Sequence, residues 1–295
     1  MTDSKLISDY KVYLADVRGA SANTVSSYVR DVQKFAEFIF SSENKNLLQI
    51  SSDNIRFYLT VLEKNNKSPA TISRCIASIK AFYNHLIDIG HVAQNPVSDI
   101  STNTVQKKPP RILSDEEVRL LLEQPNISDY KGARDSAMFE ILYATGIRVS
   151  ELINLDVSDV NLSTGLVSCR NGKVRIVPIH DAAIKAVERY LSFSRPKMAV
   201  NGEKALFVNA NGERMTRQGF WKILKSYSEQ AKITGDITPQ MLRNSFAAHL
   251  LENGANIHVL QEMLGHAGIS STQTYARIVK YQLKDMYSKA HPMAK

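Results

Sequence analysis

The chain contains the stretch Thr238-Pro-Gln-Met-Leu-Arg-Asn-Ser-Phe-Ala-Ala-His-Leu-Leu, which is followed by Leu264-Gly-His266 and then by Tyr275. These segments bring a guanidinium, an imidazole and a phenol into one region of the sequence. Arg243 carries a planar, permanently charged fork that matches phosphate oxygens. His266 can hydrogen-bond or transfer a proton near neutral pH, and Tyr275 can serve as an oxygen nucleophile. Together the three groups suit attack on a phosphodiester.

A second arginine lies upstream, in Ala144-Thr-Gly-Ile-Arg148-Val-Ser-Glu-Leu. Arg148 follows a sharp turn that contains Gly146, and it precedes an apolar helical run. Cleavage of a phosphodiester requires stabilisation of the charge that develops on the non-bridging oxygens. Arg148 and Arg243 are the candidates for that role, although a single arginine at a turn is more often a surface charge or the partner of a helix end.

The order of two arginines, a histidine and a tyrosine resembles the catalytic set of the tyrosine recombinases, and the surrounding sequences resemble the Xer branch of that family. Similar sequences also occupy residues 10–39, 68–96 and 206–221, so the resemblance extends over nearly the whole chain. It implies a mainly α-helical protein. An N-terminal helical bundle of SAM-like type would precede a mostly helical, mixed α/β catalytic domain with a small antiparallel sheet.

The resemblance also implies site-specific recombination of duplex DNA, with chromosome dimer resolution as the expected cellular role. Tyr275 would attack one strand and form a 3′-phosphotyrosyl bond, Arg148 and Arg243 would bind the scissile phosphate, and His266 would hydrogen-bond it. A 5′ hydroxyl of the partner duplex would reverse the attack, so no metal ion, ATP or other cofactor is expected. Four protomers would act on two sites, as a homotetramer or with a second recombinase, and an activating protein is a further candidate partner.

Residues 166–178 predict a β-hairpin, because two β-rich runs flank Asn171-Gly172, a pair that favours a two-residue type I′ turn. In the tyrosine recombinases a hairpin lysine, usually within a longer Gly-Lys-Gly loop, protonates the leaving 5′ oxygen. We assign that role to Lys173, directly after the turn. Arg170 would pair with Lys173 across the turn and could occupy the same space, but it does not release a proton readily.

Gln240 departs from the family pattern more sharply than the short hairpin does, because that pattern has histidine three residues before the second arginine. Asn244 also replaces the histidine that usually follows Arg243. Glutamine can donate a hydrogen bond to a phosphate oxygen but cannot accept the proton of a tyrosine. These changes preserve phosphate binding and leave the efficiency of cleavage as the open question.

The length of 295 residues fits two domains of ordinary size. We predict an N-terminal DNA-binding domain over residues 1–100, a polar and proline-containing linker over 101–111, and a catalytic domain over 112–295 that ends in an interaction helix. The formal net charge of +8 agrees with a polyanionic partner, although charge alone does not identify nucleic acid.

Helical periodicity accounts for most of both domains. Ser21 or Asn23 begins a helix that continues to Ile39, and Ser68-Pro69 begins another that stops near Gly90. The sequence Ser-Asp-Glu-Glu from residue 114 is typical of a capping box. Further helices are predicted over residues 6–17, 53–64, 135–144, 150–155, 181–193, 216–231, 241–253, 258–265 and 282–290.

Several sites and locations are not expected. The chain lacks a run of about eighteen apolar residues and its first residues lack an apolar signal core, so we expect a cytoplasmic protein without membrane insertion or secretion. Cys75 and Cys169 lie in different halves without a ligand cluster nearby, so neither a disulfide nor a zinc site is expected. His249 and His258 are assigned to helix packing or to the surface.

Three alternatives share parts of this pattern. A DNA-binding partner with weak catalysis would explain Gln240 and the short hairpin, but such a protein has no need for Tyr275. A mobile-element integrase uses the same chemistry but often carries an extra N-terminal DNA-binding module, for which residues 1–20 are too short. A type IB topoisomerase shares the mechanism but not the Xer-like sequences outside the site.

Overall fold

The structure is a computed structural model that describes residues 2–100, 111–170 and 174–265. The chain forms two compact units, residues 1–107 and 108–295. The predicted linker lies outside the described residues except for Arg111, so its bounds remain a prediction. The helix predicted over residues 282–290 also lies outside them.

The first unit is a bundle of four helices within residues 2–100. Ser21 accepts a hydrogen bond from the Thr24 N–H at 3.2 Å and begins the second helix, and Ser68 accepts from Thr71 at 3.3 Å, ahead of Pro69 in the first turn of the fourth. Both starts agree with the sequence, since side-chain oxygens satisfy the N–H groups that a helix start leaves without partners. The helices are α1 (Asp3–Val12), α2 (Ala22–Glu43), α3 (Ser52–Lys64) and α4 (Pro69–Asp88), and a π-helical turn, Tyr13–Val17, extends α1.

The core of the first unit is apolar and aromatic, and α2 and α4 form its main contact. Their inward faces carry Phe35, Ile39, Phe82 and Leu86, all fully buried. Buried apolar surface of this extent accounts for an independently packed helical domain. Cys75 lies buried on α4 as a free thiol.

The second unit is mostly helical with a small sheet. Its helices in the described residues are α5 (Asp115–Glu123), α6 (Tyr130–Thr145), α7 (Val149–Ile153), α8 (Asp181–Arg189), α9 (Arg195–Met198), α10 (Arg217–Gln230), α11 (Pro239–Glu252) and α12 (Ile257–Leu264). The strands β1 (Val160–Asn161), β2 (Leu166–Cys169) and β3 (Arg175–Pro178) form an antiparallel sheet in the order β1-β2-β3. The predicted fold class is confirmed, and β1 was not expected from the sequence.

The hairpin is present, but its predicted register is wrong by one residue. Cys169 pairs with Arg175, and Leu166 pairs with Pro178. Continued toward the turn, this register places Arg170 opposite Val174, whereas a two-residue Asn-Gly turn would place it opposite Lys173. Val167, Cys169 and Val177 are buried on one face of the sheet, and their burial fixes the register because a shift by one residue exposes them.

Helix α6 lies at the centre of the second unit. It packs against α5, α7, α8, α11 and β3, and its buried residues lie on every side. A helix that is buried all round lacks a single polar face. The turn that follows α6 therefore starts from the interior of the unit, and Arg148 follows that turn. In the described residues no helix is long and apolar enough to cross a membrane, and no group of metal-binding side chains is found.

Candidate active site

Gly146 ends α6 in the left-handed conformation, with φ of 58°. A Cβ atom there would lie 2.2 Å from Cδ1 of Phe246 on α11, so the close approach of the two helices also requires glycine. The chain then turns within two residues and begins α7 with Arg148 at the N-cap. Packing of α6 against α11 thus sets where Arg148 emerges.

Glu151 on α7 holds the backbone of Arg148. Its Oε2 atom accepts the Arg148 N–H at 2.7 Å, while Oε1 lies 3.8 Å from the Arg148 guanidinium. The carboxylate is buried, with 2% of the side chain exposed, whereas 46% of the Arg148 side chain is exposed. The arginine predicted to bind phosphate therefore has its backbone fixed and its charge directed to the surface.

Arg243 lies on α11 and is buried, with 2% exposure. Its Nη1 donates to the Gly146 carbonyl at 2.5 Å, and its Nη2 donates to the Leu264 carbonyl at 2.7 Å. The guanidinium thus joins the end of α6 to the end of α12. A cation at these positions is favourable because both carbonyls belong to helix C-termini, which carry partial negative charge.

Arg175 on β3 is a member of the site that the sequence did not reveal. Its Nη1 and Nη2 donate to both oxygens of Glu151 at 2.6 and 3.0 Å, and its Nε donates to the Met263 carbonyl at 2.6 Å. Burial raises the pKa of Glu151, but the hydrogen bonds from Arg175 and from the Arg148 N–H outweigh it and hold that pKa below its usual range. Glu151 is therefore a carboxylate at neutral pH.

A cleft of about 810 Å³ opens between α7, α10 and the start of α11. Arg148 and Arg243 both line it, so the structure brings together the two arginines predicted from the sequence. Helix α10 adds further side chains that were not predicted from the sequence as part of a site: Arg217, Gln218, Trp221 and Lys222. The sequence pattern that could have indicated them is a group of basic residues next to an aromatic residue on one helix face, because such a surface suits a nucleic-acid backbone.

Gln240 also lines the cleft, and its Nε2 donates to Oδ1 of Asn244 at 2.9 Å. The two residues that depart from the family pattern therefore contact each other. Neither amide titrates, so this pair can hydrogen-bond a phosphate but cannot take up a proton.

The remaining predicted residues are placed as follows. Lys173, His266 and Tyr275 lie outside the described residues. Arg170 forms an ion pair with the buried carboxylate of Asp159, with 2.6 Å between Nε and Oδ1. The guanidinium of Arg170, which was considered beside Lys173, is therefore paired with Asp159.

The two histidines that were assigned to helix packing or to the surface lie at such positions. His249 is buried on α11, where its ring nitrogens lie 2.8 Å from the Tyr143 hydroxyl and 2.9 Å from the Leu113 carbonyl. His258 is exposed on α12. Packing and surface positions account for both.

Comparisons with known proteins place the chain in a family. The phage integrase family model matches residues 111–281, and the model of the phage integrase N-terminal SAM-like domain matches residues 7–90. The tyrosine recombinase XerD of Oceanobacillus iheyensis is 46% identical over 293 residues, which cover 98% of both chains. The chain belongs to the Xer-type tyrosine recombinases. XerD of Listeria innocua is 39% identical to this recombinase and covers 98% of it and 99% of its own length.

Solved structures of the family resemble this recombinase as well. XerA recombinase is 30% identical, covers 98% of this chain and 99% of its own, and superimposes with a TM-score of 0.55. XerH bound to a palindromic difH substrate, in a post-cleavage complex, is 23% identical, with a TM-score of 0.77 over 92% of this chain and 81% of its own. At this level of identity the XerH comparison shows that the two proteins share the fold described above.

Proposed function

We propose that this recombinase cuts and rejoins duplex DNA at a specific site through a covalent bond between Tyr275 and a 3′ phosphate. The cleft that Arg148 and Arg243 line together with Arg217 and Lys222 carries the proposal. Four cations around one open cleft suit a polyanionic backbone. Membership of the Xer branch supplies the class of reaction.

The chemistry requires a nucleophile, an acid and charge stabilisation. The Tyr275 hydroxyl attacks phosphorus, the bond from phosphorus to the 5′ oxygen breaks, and Lys173 protonates that oxygen while the tyrosine proton passes to water or His266. Arg148 and Arg243 stabilise the charge on the non-bridging oxygens. A 5′ hydroxyl then attacks the phosphotyrosine and releases Tyr275, so each phosphodiester bond is restored without ATP.

The partner is duplex DNA bearing a recombination site. Structures of XerH with difH substrate and of the Tn1549 transposon integrase with a circular intermediate DNA show DNA bound to proteins of this fold. We propose that four protomers act on two sites, as a homotetramer or with a second recombinase, and that an activating protein regulates them. Chromosome dimer resolution in the cytoplasm is the role that fits an Xer-type enzyme.

A nicked suicide substrate tests the activity. The site is first recovered as the genomic DNA fragment that the protein retains, and a nick near the cleavage position then lets the cut end diffuse away, which traps the adduct. We expect wild type to form a covalent adduct and Tyr275→Phe to form none at nearly unchanged DNA affinity, because one hydroxyl contributes little to a charged interface. Tyr281→Phe is the matched control and should resemble wild type. Adduct formation by Tyr275→Phe would assign the nucleophile to another residue.

The contact between Gln240 and Asn244 favours a second candidate, a DNA-binding partner that positions an active subunit. Such a protein would bind the site but form no adduct alone. Mixing it with an active recombinase on a two-site substrate would then give cleavage by the partner only.

A further inference from the structure

Glu151 lies between two arginines, and it is bonded to one of them more strongly than to the other. Arg175 donates to both carboxylate oxygens at 2.6 and 3.0 Å, whereas the Arg148 guanidinium lies 3.8 Å from the nearer oxygen. A distance of 3.8 Å is too long for a hydrogen bond. A shift of about 1 Å would convert it into the short charge-assisted bond that guanidinium and carboxylate groups favour.

Arg175 cannot exchange roles with Arg148. Its side chain is 9% exposed, and its Nε is bonded to the Met263 carbonyl at 2.6 Å. A Cβ atom on Gly265 would lie 2.9 Å from the Arg175 guanidinium, so the space around this group is already filled. Arg175 is not among the residues that line the cleft in the described part of the chain.

Arg148, in contrast, is 46% exposed and lines the cleft. In the described residues its guanidinium has Glu151 as its ionic neighbour. The charge of Glu151 would draw Arg148 away from a DNA phosphate if Arg175 did not occupy that carboxylate.

We propose that Arg175 is a positioning residue that occupies Glu151 and thereby keeps the Arg148 guanidinium available to the DNA backbone. This inference rests on the proposed function, because it concerns how one phosphate contact of that site is maintained. In this proposal Arg175 acts without a DNA contact of its own. Its removal should therefore act through Arg148, which gives it a signature that a general loss of packing would not produce.

The salt dependence of DNA binding provides the test. The logarithm of the binding constant falls linearly with the logarithm of salt concentration, by about 0.9 for each phosphate contact on duplex DNA. We expect Arg175→Gln and Arg148→Ala each to reduce the magnitude of this slope by about 0.9, and Arg148→Ala/Arg175→Gln to reduce it no further. Arg175→Gln/Glu151→Gln should restore the slope of wild type, because the neutral amide no longer attracts Arg148.

Arg175→Lys separates the charge effect from the bond to Met263. Lysine retains a positive charge beside Glu151 but cannot reproduce the two-pronged fork and the additional Nε bond. The slope of wild type should persist in this variant if occupation of Glu151 is what matters. In the suicide assay, Arg175→Gln should slow single-turnover cleavage about 10²-fold or more, as loss of a preorganised charge does, and the double variant with Glu151→Gln should recover most of the rate.

Some outcomes contradict the proposal. An unchanged slope in Arg175→Gln, or an additive loss in Arg148→Ala/Arg175→Gln, would show that Arg175 does not act through Arg148. If Arg175→Gln does not fold because Glu151 is left buried and unpaired, the comparison uses Arg175→Lys and Arg175→Gln/Glu151→Gln, and a slope reduced in both would contradict it equally. A flat salt response of wild type would instead contradict the proposed function itself.

Discussion

Two arginines with the same expected role are held in very different surroundings. Arg148 is half exposed and its backbone is fixed by Glu151, whereas Arg243 is buried and donates to the carbonyls of Gly146 and Leu264. An arginine that would contact only the substrate can be replaced without loss of stability. An arginine that also hydrogen-bonds the ends of two helices cannot be replaced without such a loss.

Alanine at each position should separate these roles. Arg148→Ala should slow cleavage by about 10²–10³-fold with little change in melting temperature. Arg243→Ala should slow it at least as much and also destabilise the protein by roughly 1–3 kcal/mol, because buried carbonyls lose their donors. Cleavage in single turnovers and thermal unfolding are the two measurements. Arg119→Ala, an exposed arginine that pairs with Glu116 and Glu123, is the control and should change neither strongly.

Gln240→His tests the effect of the missing titratable group. The imidazole would lie in the cleft next to Asn244 and could accept the tyrosine proton, so we expect faster cleavage with a new dependence on pH between 6 and 9. General-base catalysis contributes about 10²–10⁴-fold at most, and the gain should lie at the low end because water or His266 can substitute. Gln230→His, on an exposed position of α10, is the control. Identical rates for Gln240→His and wild type would show that the glutamine does not limit the reaction.

The sequence could predict Arg148 and Arg243 because each lies within a local motif. It could not predict Arg175, whose partners Glu151 and Met263 are 24 and 88 residues away in the chain. Nothing in the residues next to Arg175 marks it as part of a site. Contacts between distant segments require the fold.

At the scale of the elements, α6, α7, α11 and α12 meet at the turn after α6. The helix starts at Ser21, Ser68 and Ser114 were predicted well, because each of these caps acts within one turn of the chain. Helix α6, in contrast, begins at Tyr130, five residues before its predicted start at residue 135. The hairpin register was predicted wrongly, since turn propensity favours one pairing and burial of Val167 and Val177 selects another.

Gly146→Ala should disturb the meeting of these helices. Alanine carries strain at a φ of 58°, and its Cβ would lie 2.2 Å from the Phe246 ring, so α11 must move. We expect a loss of about 2–4 kcal/mol in the free energy of unfolding and slower cleavage by the folded fraction. Gly254→Ala is a matched control, because Gly254 also has a positive φ but has no atom within 4 Å of the added Cβ. Equal destabilisation by both substitutions would mean that the contact with Phe246 does not matter.

At the scale of the whole molecule, each unit has its own core, and one of them contains a titratable ring without hydrogen-bond partners. Both ring nitrogens of His85 are buried and lack a partner within the described residues. The ring stacks on Tyr13 with 4.1 Å between centroids. Burial lowers the pKa of His85, and the nearby His91 lowers it further. Asp88 and Asp9 act in the opposite direction, but burial has the larger effect.

This arrangement predicts a stability that depends on pH. Because the pKa of His85 is lower in the folded state, its contribution is complete above the ordinary value of about 6.5 and is lost as the pH falls below that value. His85→Phe removes the titration and keeps an aromatic ring against Tyr13, so its melting temperature should change less between pH 7 and pH 5 than that of wild type. Parallel pH profiles for the two proteins would show that His85 remains neutral throughout or is protonated without cost.

Trp221 is the single tryptophan of the chain, and it lies in the cleft with 46% of its surface exposed. The Nζ atom of Lys225 lies 5.7 Å from the centre of its ring. Fluorescence excited selectively in tryptophan therefore arises from one known position beside Arg148 and Arg243. Occupation of the cleft by DNA would change the emission of that ring directly, so the unlabelled protein carries its own optical probe of substrate binding.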